Sequence, residues 1–391
     1  MPVEAFASIR HLMDSTAYPV SELSSCQLRP AAGTLFALID QLPVLFNEDA
    51  QKLFELNDIA AFIWCSLHDG MALPSIRDQL VDRGFSSSDA RTSLRDALDQ
   101  WLRAGLLVPH IDAADFAFSA TVGRHRIEVR TSDAEMFSFL ASLFIATSAP
   151  DGQADVHFTV YRADSTAIVT RDGRKALACP VNTLAPTFRA HVIQHLLLAG
   201  DGRDMVFHAA AVTWGERGML ISAPPGTGKS TLTMHLLDSG CGFAADDVVL
   251  IGPTGEIRGT SFAPTLKSGS WPMVGNFRPD VSSLPVHDRL DGHRIRYLGV
   301  GPRFHDRSVR VNWIIFLERA AGSGKPALTE LSELGTLQQI VGASYARHGR
   351  LSGDGFRALK NMVSSTRALI LRYSEAAEAA SRLIELCDDK F

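Results

Sequence analysis

The chain has 391 residues, 46% of them apolar and 21% charged, which is enough for two or three folded domains and excludes both a disordered chain and a fibrous repeat. The formal net charge of -5 is unevenly spread: residues 1–112 hold 8 Lys and Arg against 15 Asp and Glu, and the remainder holds 30 against 28. So acidic a first segment starts at an electrostatic disadvantage on nucleic acid, and no nucleic-acid partner is expected.

Five cysteines, Cys26, Cys65, Cys179, Cys241 and Cys387, stand far apart with no C-x-x-C pair. That spacing gives neither a disulfide framework nor a zinc site, and a reducing cytoplasm is the expected location. The N-terminal MPVEAFASIR lacks the apolar core of a signal peptide, and the apolar run from Met136 is shorter than a membrane span, so no membrane partner is expected.

The first segment reads as short strands followed by helices. Residues 34–39 (TLFALI) and 43–46 (PVLF) are compact apolar runs. Asn57 is placed to cap a helix carrying Ile59, Ala60, Phe62 and Ile63, which ends at His68-Asp69-Gly70. Pro74 suits the first turn of a second helix, closed by Gly84. A third runs from Ser86-Ser87-Ser88 through Leu94, Leu98 and Trp101 to Gly105. Residues 113–180 alternate strands, at 116–120, 127–129, 156–161 and 167–169, with one apolar helix near 133–147; Asp151-Gly152 and Asp172-Gly173 are turn signals. An amphipathic helix over 185–200 ends at Gly200-Asp201-Gly202.

The pattern Leu56-Asn57, Ala60, Ile63-Trp64, Asp69-Gly70 and Gly105-Leu106-Leu107 resembles the PqqD family of winged-helix peptide-binding modules. The resemblance covers about residues 28–108. It implies that this segment holds the leader of a ribosomally made precursor peptide, added as a strand to an exposed sheet edge.

The strand at 218–222 leads into Ala223-Pro224-Pro225-Gly226-Thr227-Gly228-Lys229-Ser230-Thr231 and then a helix, Leu232 to Leu237. This is a P-loop in its strand, loop and helix context, with Ala223 where the first glycine is usual. Gly226 and Gly228 let backbone N–H groups turn toward a phosphate, Lys229 reaches the β and γ phosphates, and the Ser230 hydroxyl joins the shell of Mg2+. ATP with Mg2+ is the expected donor, and the loop itself does not distinguish ATP from GTP or pyrophosphate. The strand 242–245 delivers Asp246-Asp247 only 17 residues after Lys229, and that spacing argues against an AAA+ motor, whose acidic pair lies several tens of residues on.

His208 on a strand, the P-loop, one helix and the Ala245-Asp246-Asp247 step resemble HPr kinase/phosphorylase, a fold akin to phosphoenolpyruvate carboxykinase. The resemblance is strong over about 204–255. Leu266-Lys267 with Trp271, Leu371-Arg372-Tyr373-Ser374 and the string Glu256-Ile257-Arg258-Gly259 extend it. It implies that Asp246 is the general base on the acceptor hydroxyl, that Asp247 holds metal with Ser230, and that His208 lies near the transferred phosphoryl group. Both carboxylates reach one site only if the pair stands at the strand end, since successive strand residues face opposite ways. Of the later basic residues Arg258, Lys267, Arg294, Arg296 and Arg303, Lys267 is the expected phosphate or substrate contact.

The expected architecture is α/β (α+β): a PqqD-like winged-helix domain over 1–112, then an HPr kinase/phosphoenolpyruvate carboxykinase-like P-loop domain over 113–391. The expected function is transfer of the γ-phosphoryl group of ATP to a Ser or Thr hydroxyl of a precursor peptide, such as that of a lasso peptide. A small-molecule kinase of the same fold and an ATP-gated peptide chaperone are the alternatives. A homo-oligomer is a further implication of the resemblance.

Overall fold

The structure, a computed structural model, describes residues 27–110, 114–163, 165–199, 204–320, 322, 324–345 and 351–388. The N-terminal MPVEAFASIR, Cys26 and the Gly200-Asp201-Gly202 break lie outside the described residues. The fold is mixed α/β. It divides into two compact units: Met1–Ser119 with Ile127–Ser138 and Ala149–Leu184, and Ala120–Arg126 with Phe139–Ser148 and Ala185–Phe391.

In the first unit, β1 (Gln27–Pro30) pairs antiparallel with β5 (Leu107–His110), and β2 (Thr34–Ile39), β3 (Leu42–Asn47) and β4 (Lys52–Glu55) form an antiparallel meander. Three helices, α1 (Asp58–His68), α2 (Leu73–Asp82) and α3 (Ser87–Ala104), lie between β4 and β5. Their ends follow the local chemistry. The Asn57 side chain accepts from the Ala60 N–H and the Ser86 hydroxyl from that of Asp89, each satisfying a donor that a helix start leaves free. Gly105 closes α3 at φ 71°, a left-handed conformation open to glycine. Trp64 packs edge-on against Trp101, with ring centroids 5.2 Å apart, in a core with Ile63, Ile76, Leu80, Leu94 and Leu98.

A five-stranded sheet follows in the order β10-β9-β8-β7-β6, formed by β6 (Phe116–Val122), β7 (His125–Thr131), β8 (Val156–Ala163), β9 (Thr166–Arg171) and β10 (Arg174–Pro180). Between β7 and β8 the helix α4 spans Ala134–Ala141, shorter than the apolar run that predicts it. Compactness groups 127–138 and 149–184 with the first unit.

Among the described residues the second unit is built on a ten-stranded sheet that includes β11 (Met205–Phe207), β14 (Gly242–Ala245), β15 (Val249–Ile251), β16 (Glu256–Arg258), β21 (Ala327–Glu330) and β22 (Ser344–Tyr345), while β17 (Thr265–Lys267), β18 (His287–Asp288) and β19 (Arg294–Tyr297) form a three-stranded sheet. In the larger sheet strand β13 (Arg217–Ser222), which leads into the glycine-rich loop, pairs antiparallel with β12 (Ala209–Trp214) and parallel with β20 (Val309–Arg319), which pairs parallel with β23 (Arg367–Tyr373). Alternation along these strands fills both faces. Ala210, Val212, Ile221, Trp313 and Ile315 face a core shared with Leu232 and Leu236 of α6 (Lys229–Asp238) and Leu383 of α9 (Ala376–Asp388). Ala209, Ala211, Leu220, Ile314 and Phe316 face another, shared with Ile340 of α7 (Glu333–Ala343) and Leu359 and Val363 of α8 (Gly353–Ser364). The sheet is thus sandwiched between two helical layers. Among the described residues no helix is long and apolar enough to cross a membrane.

Candidate functional site

The site forms where β13 ends and α6 begins. Gly226 and Gly228 take φ 84° and 107°, so the loop turns through conformations that side chains resist. The loop is pinned from two sides. Thr227 donates its N–H and its hydroxyl to the Pro224 carbonyl, at 3.3 and 2.8 Å, and the Tyr373 hydroxyl donates to the Thr227 carbonyl at 2.8 Å. Pro224, Pro225 and Gly226 remain exposed, while Ala223, Thr227 and Ser230 are half-buried. At the start of α6, Thr231 shares a 3.2 Å hydroxyl contact with Ser270.

Lys229 is buried, 6% exposed, and donates to the Ala223 carbonyl at 3.0 Å and to Nε2 of His208 at 3.0 Å. His208 follows β11 (Met205–Phe207), and its Nδ1 lies 3.1 Å from the Asp247 carbonyl. A carbonyl only accepts, so Nδ1 carries the hydrogen and Nε2 is the acceptor for Lys229. Burial, then the Lys229 charge, holds the His208 imidazole below its ordinary range, and burial lowers the Lys229 ammonium against the pull of Asp247 and Asp246. The lowered imidazole favours neutral His208, able to accept.

Strand β14 (Gly242–Ala245) stops just before the acidic pair. Asp247 takes φ 65°, so the chain turns there. The two carboxylates consequently occupy different environments of one site. Asp246 is fully buried; its Oδ2 accepts from the Ser230 hydroxyl at 2.9 Å and from the Thr265 N–H at 3.3 Å. The Ser230 hydroxyl thus meets Asp246, the expected base, and not Asp247, the expected metal partner: where the strand ends decides which of two neighbours faces the loop. Asp247 is 30% exposed, and its Oδ2 lies 3.7 Å from Arg189.

Burial, then the neighbouring Asp247 charge, raises the Asp246 carboxyl above the usual carboxylate range. Asp247 goes the other way: although burial pushes it up, Arg189, His208 and Lys229 hold it lower. The pair is therefore polarised, one carboxylate protonated more readily than the other.

The side chains here fit a hard cation such as the expected Mg2+. Ser230 and Asp246 offer hard oxygen donors side by side, and Oδ1 of Asp246 is buried with no hydrogen-bond partner among the described residues. Mg2+ commonly takes one or two protein oxygens and completes its shell with water and substrate phosphates. Among the described residues no cluster of three or more His, Cys, Asp or Glu could hold a metal by itself.

Lys267 closes the strand β17 (Thr265–Lys267), half-buried, and its charge contributes to lowering Lys229. Strand β17 packs against α6, the helix that follows the loop. Glu256 instead contacts Thr254 and Arg258. Arg296 stacks on Trp271, its guanidinium carbon 4.1 Å from a ring centroid.

One participant is absent from the sequence reading and another appears there without a role. Arg189, in α5 (Leu184–Val192), reaches both aspartates, and Tyr373, part of the Leu371–Ser374 string, holds the loop. A lone arginine in the apolar stretch Leu184-Ala185-Pro186-Thr187-Phe188-Arg189-Ala190 was the available signal for the first.

No family model matches the chain, and no curated protein matches it. Among solved structures, a lasso peptide synthetase B1 complexed with the leader peptide matches at 23% identity and a TM-score of 0.21, covering 21% of this chain and 99% of that one. TbiB1 in complex with the TbiA(beta) leader peptide matches at 24% identity and a TM-score of 0.20, covering 22% and 99%. The HPr(Ser) kinase/phosphatase from Coxiella burnetii matches at 15% identity and a TM-score of 0.21, covering 47% and 99%.

Proposed function

We propose that the protein is an ATP-dependent kinase that phosphorylates a Ser or Thr hydroxyl of a ribosomally made precursor peptide, such as a lasso peptide precursor. The observation that carries the reading is the contact of the P-loop Ser230 with Asp246, beside Lys229 and a turned-out Asp247. Loop, lysine, hydroxyl and acidic pair are the parts that phosphoryl transfer needs, since it depends on positioning and charge stabilisation.

In this reading the loop amides and Lys229 hold the polyphosphate, which exchanges for the Ala223 and His208 acceptors on Lys229. Ser230 and Asp246 would hold Mg2+, which when bound neutralises charge on the phosphate oxygens. The sequence resemblance gave the base role to Asp246. Its complete burial and its contact with Ser230 favour the metal side instead; Asp247, held the less basic of the two by Arg189, is the more exposed and on that ground the better placed proton acceptor. The acceptor hydroxyl oxygen bonds to the γ-phosphorus as the bond to the β–γ bridging oxygen breaks, ADP leaves, and the hydroxyl proton passes to Asp247. Lys267 is the proposed further phosphate contact.

Peptide capture is assigned to about residues 28–108. Strand β2 is an edge of its meander, and Leu35 and Leu38 on it are 61% and 65% exposed. An open backbone edge flanked by apolar side chains suits an added peptide strand. The test is to follow transfer of γ-labelled phosphate from ATP to a precursor peptide, for wild type and for Leu35→Asp/Leu38→Asp. The proposal expects labelled peptide with wild type. In the variant it expects peptide affinity about 10-fold weaker, with ATP affinity unchanged. Peptide bound but never labelled favours the chaperone alternative, and label on a small molecule alone favours the other.

A further inference from the structure

We propose that Arg189 is a positioning residue for this site: its guanidinium holds the Asp246–Asp247 turn in the geometry that lets both carboxylates serve one reaction. The inference rests on the reading of the site as a Mg2+-nucleotide site.

Arg189 is 6% exposed, yet it carries a full charge. Burying a guanidinium is costly unless its donors and charge are matched. Here the two terminal nitrogens span three partners, while the buried Nε has no hydrogen-bond partner among the described residues. Nη2 donates to the Asp246 carbonyl at 3.0 Å, Nη1 donates to the Thr265 hydroxyl, and Nη1 lies 3.7 Å from the Asp247 carboxylate. Its guanidinium carbon sits 5.2 Å from the Phe262 ring centroid and 6.0 Å from that of Tyr297. The contacts thus bracket the peptide unit that joins the two aspartates, from the carbonyl of one to the carboxylate of the next.

That peptide unit needs holding. Asp247 is a non-glycine residue at φ 65°, a conformation that persists where the surroundings enforce it. Were the turn to relax, three linked contacts would shift together: the Asp246 carboxylate on Ser230, the Asp247 carbonyl on His208, and through His208 the acceptor of Lys229. Arg189 also fastens β17 through Thr265, whose N–H donates to Asp246. A lysine could supply the charge but not the planar fork that reaches carbonyl, hydroxyl and carboxylate at once. Arg189 is too buried to meet a substrate, so its action is on the aspartates.

The experiment compares ATP affinity with and without Mg2+ by calorimetry, for wild type, Arg189→Ala and Arg189→Lys, with thermal unfolding as a check on folding. Wild type is expected to bind ATP more tightly with Mg2+. Arg189→Ala is expected to lose about 10-fold of that enhancement while metal-free ATP affinity is unchanged. Arg189→Lys should fall between them, and where the alanine variant fails to fold, the lysine variant decides. Equal Mg2+ enhancement in wild type and the folded variants, or none in wild type, overturns the proposal. In the transfer assay, Arg189→Ala should lower kcat with peptide KM little changed. Enhancement that depends on Arg189 in a protein that phosphorylates no peptide would keep the positioning role and remove the kinase reading.

Discussion

Nε2 of His208 lies 3.0 Å from Nζ of Lys229, and the other ring nitrogen donates to the Asp247 carbonyl. The imidazole therefore links the acidic turn to the glycine-rich loop, and it gives a buried ammonium an acceptor. Removing it should matter most without nucleotide. His208→Ala is expected to destabilise the nucleotide-free protein by about 1–3 kcal/mol, the cost of a buried donor losing its partner. With MgATP bound, phosphate oxygens replace the lost acceptor, so the loss should shrink. Thermal unfolding of both proteins with and without MgATP reads this; equal losses in the two states would contradict it.

The division between the two aspartates is separable by kinetics. Asp247→Asn should keep Mg2+-dependent ATP affinity and lose kcat by about 10²- to 10⁴-fold, the usual contribution of a positioned base. Asp246→Asn and Ser230→Ala should instead weaken MgATP binding, because they alter the oxygen pair that would hold the ion. Binding calorimetry beside steady-state kinetics distinguishes the outcomes. The reverse pattern would return the base role to Asp246.

His287 predicts acid sensitivity. It is fully buried in β18 (His287–Asp288), with the Phe139 ring 4.8 Å away and both ring nitrogens without a hydrogen-bond partner among the described residues. Burial pushes its imidazole down to about 4 from 6.5. The unfolded chain binds the proton more readily, so stability from this group is complete above about pH 6.5 and is lost as pH falls toward 4. The loss should reach about 3 kcal/mol. His287→Phe should flatten that part of the pH dependence of thermal unfolding; curves of the same shape for both proteins would contradict the assignment.

Gly228 cannot take a side chain without disturbing the loop. It has φ 107°, and a Cβ there would lie 2.8 Å from the Tyr373 hydroxyl. Gly228→Ala is expected to cost about 1–3 kcal/mol and to abolish measurable ATP binding, since both backbone and latch must move. Tyr373→Phe removes the hydroxyl and should restore little, because the backbone strain persists. Full recovery of ATP binding in the double variant would show that the clash alone mattered.

The features legible in the sequence are those fixed by near neighbours. Asn57, Ser86 and Gly105 act on groups within a few residues of themselves, and the structure has the helix ends they predict. The strand, glycine-rich loop and helix around Lys229 are legible for the same reason, being consecutive. Arg189 was not, because its contact with Asp246 joins residues 57 apart and depends on how a helix packs on the sheet. The partner of Ser230 turned on one residue at the end of β14, a phase that alternation cannot fix when both neighbours are aspartates. Strand β2 was readable as a strand from its apolar run, but its exposed edge was not, since Leu35 and Leu38 would read equally well as core.

The central claim is most directly tested by the intact mass of a precursor peptide after incubation with the protein and MgATP, with Lys229→Ala as the control. The account predicts a gain of one phosphoryl group on a Ser or Thr residue with wild type and none with Lys229→Ala. An unchanged peptide mass with wild type, under conditions where ATP and peptide both bind, would contradict it.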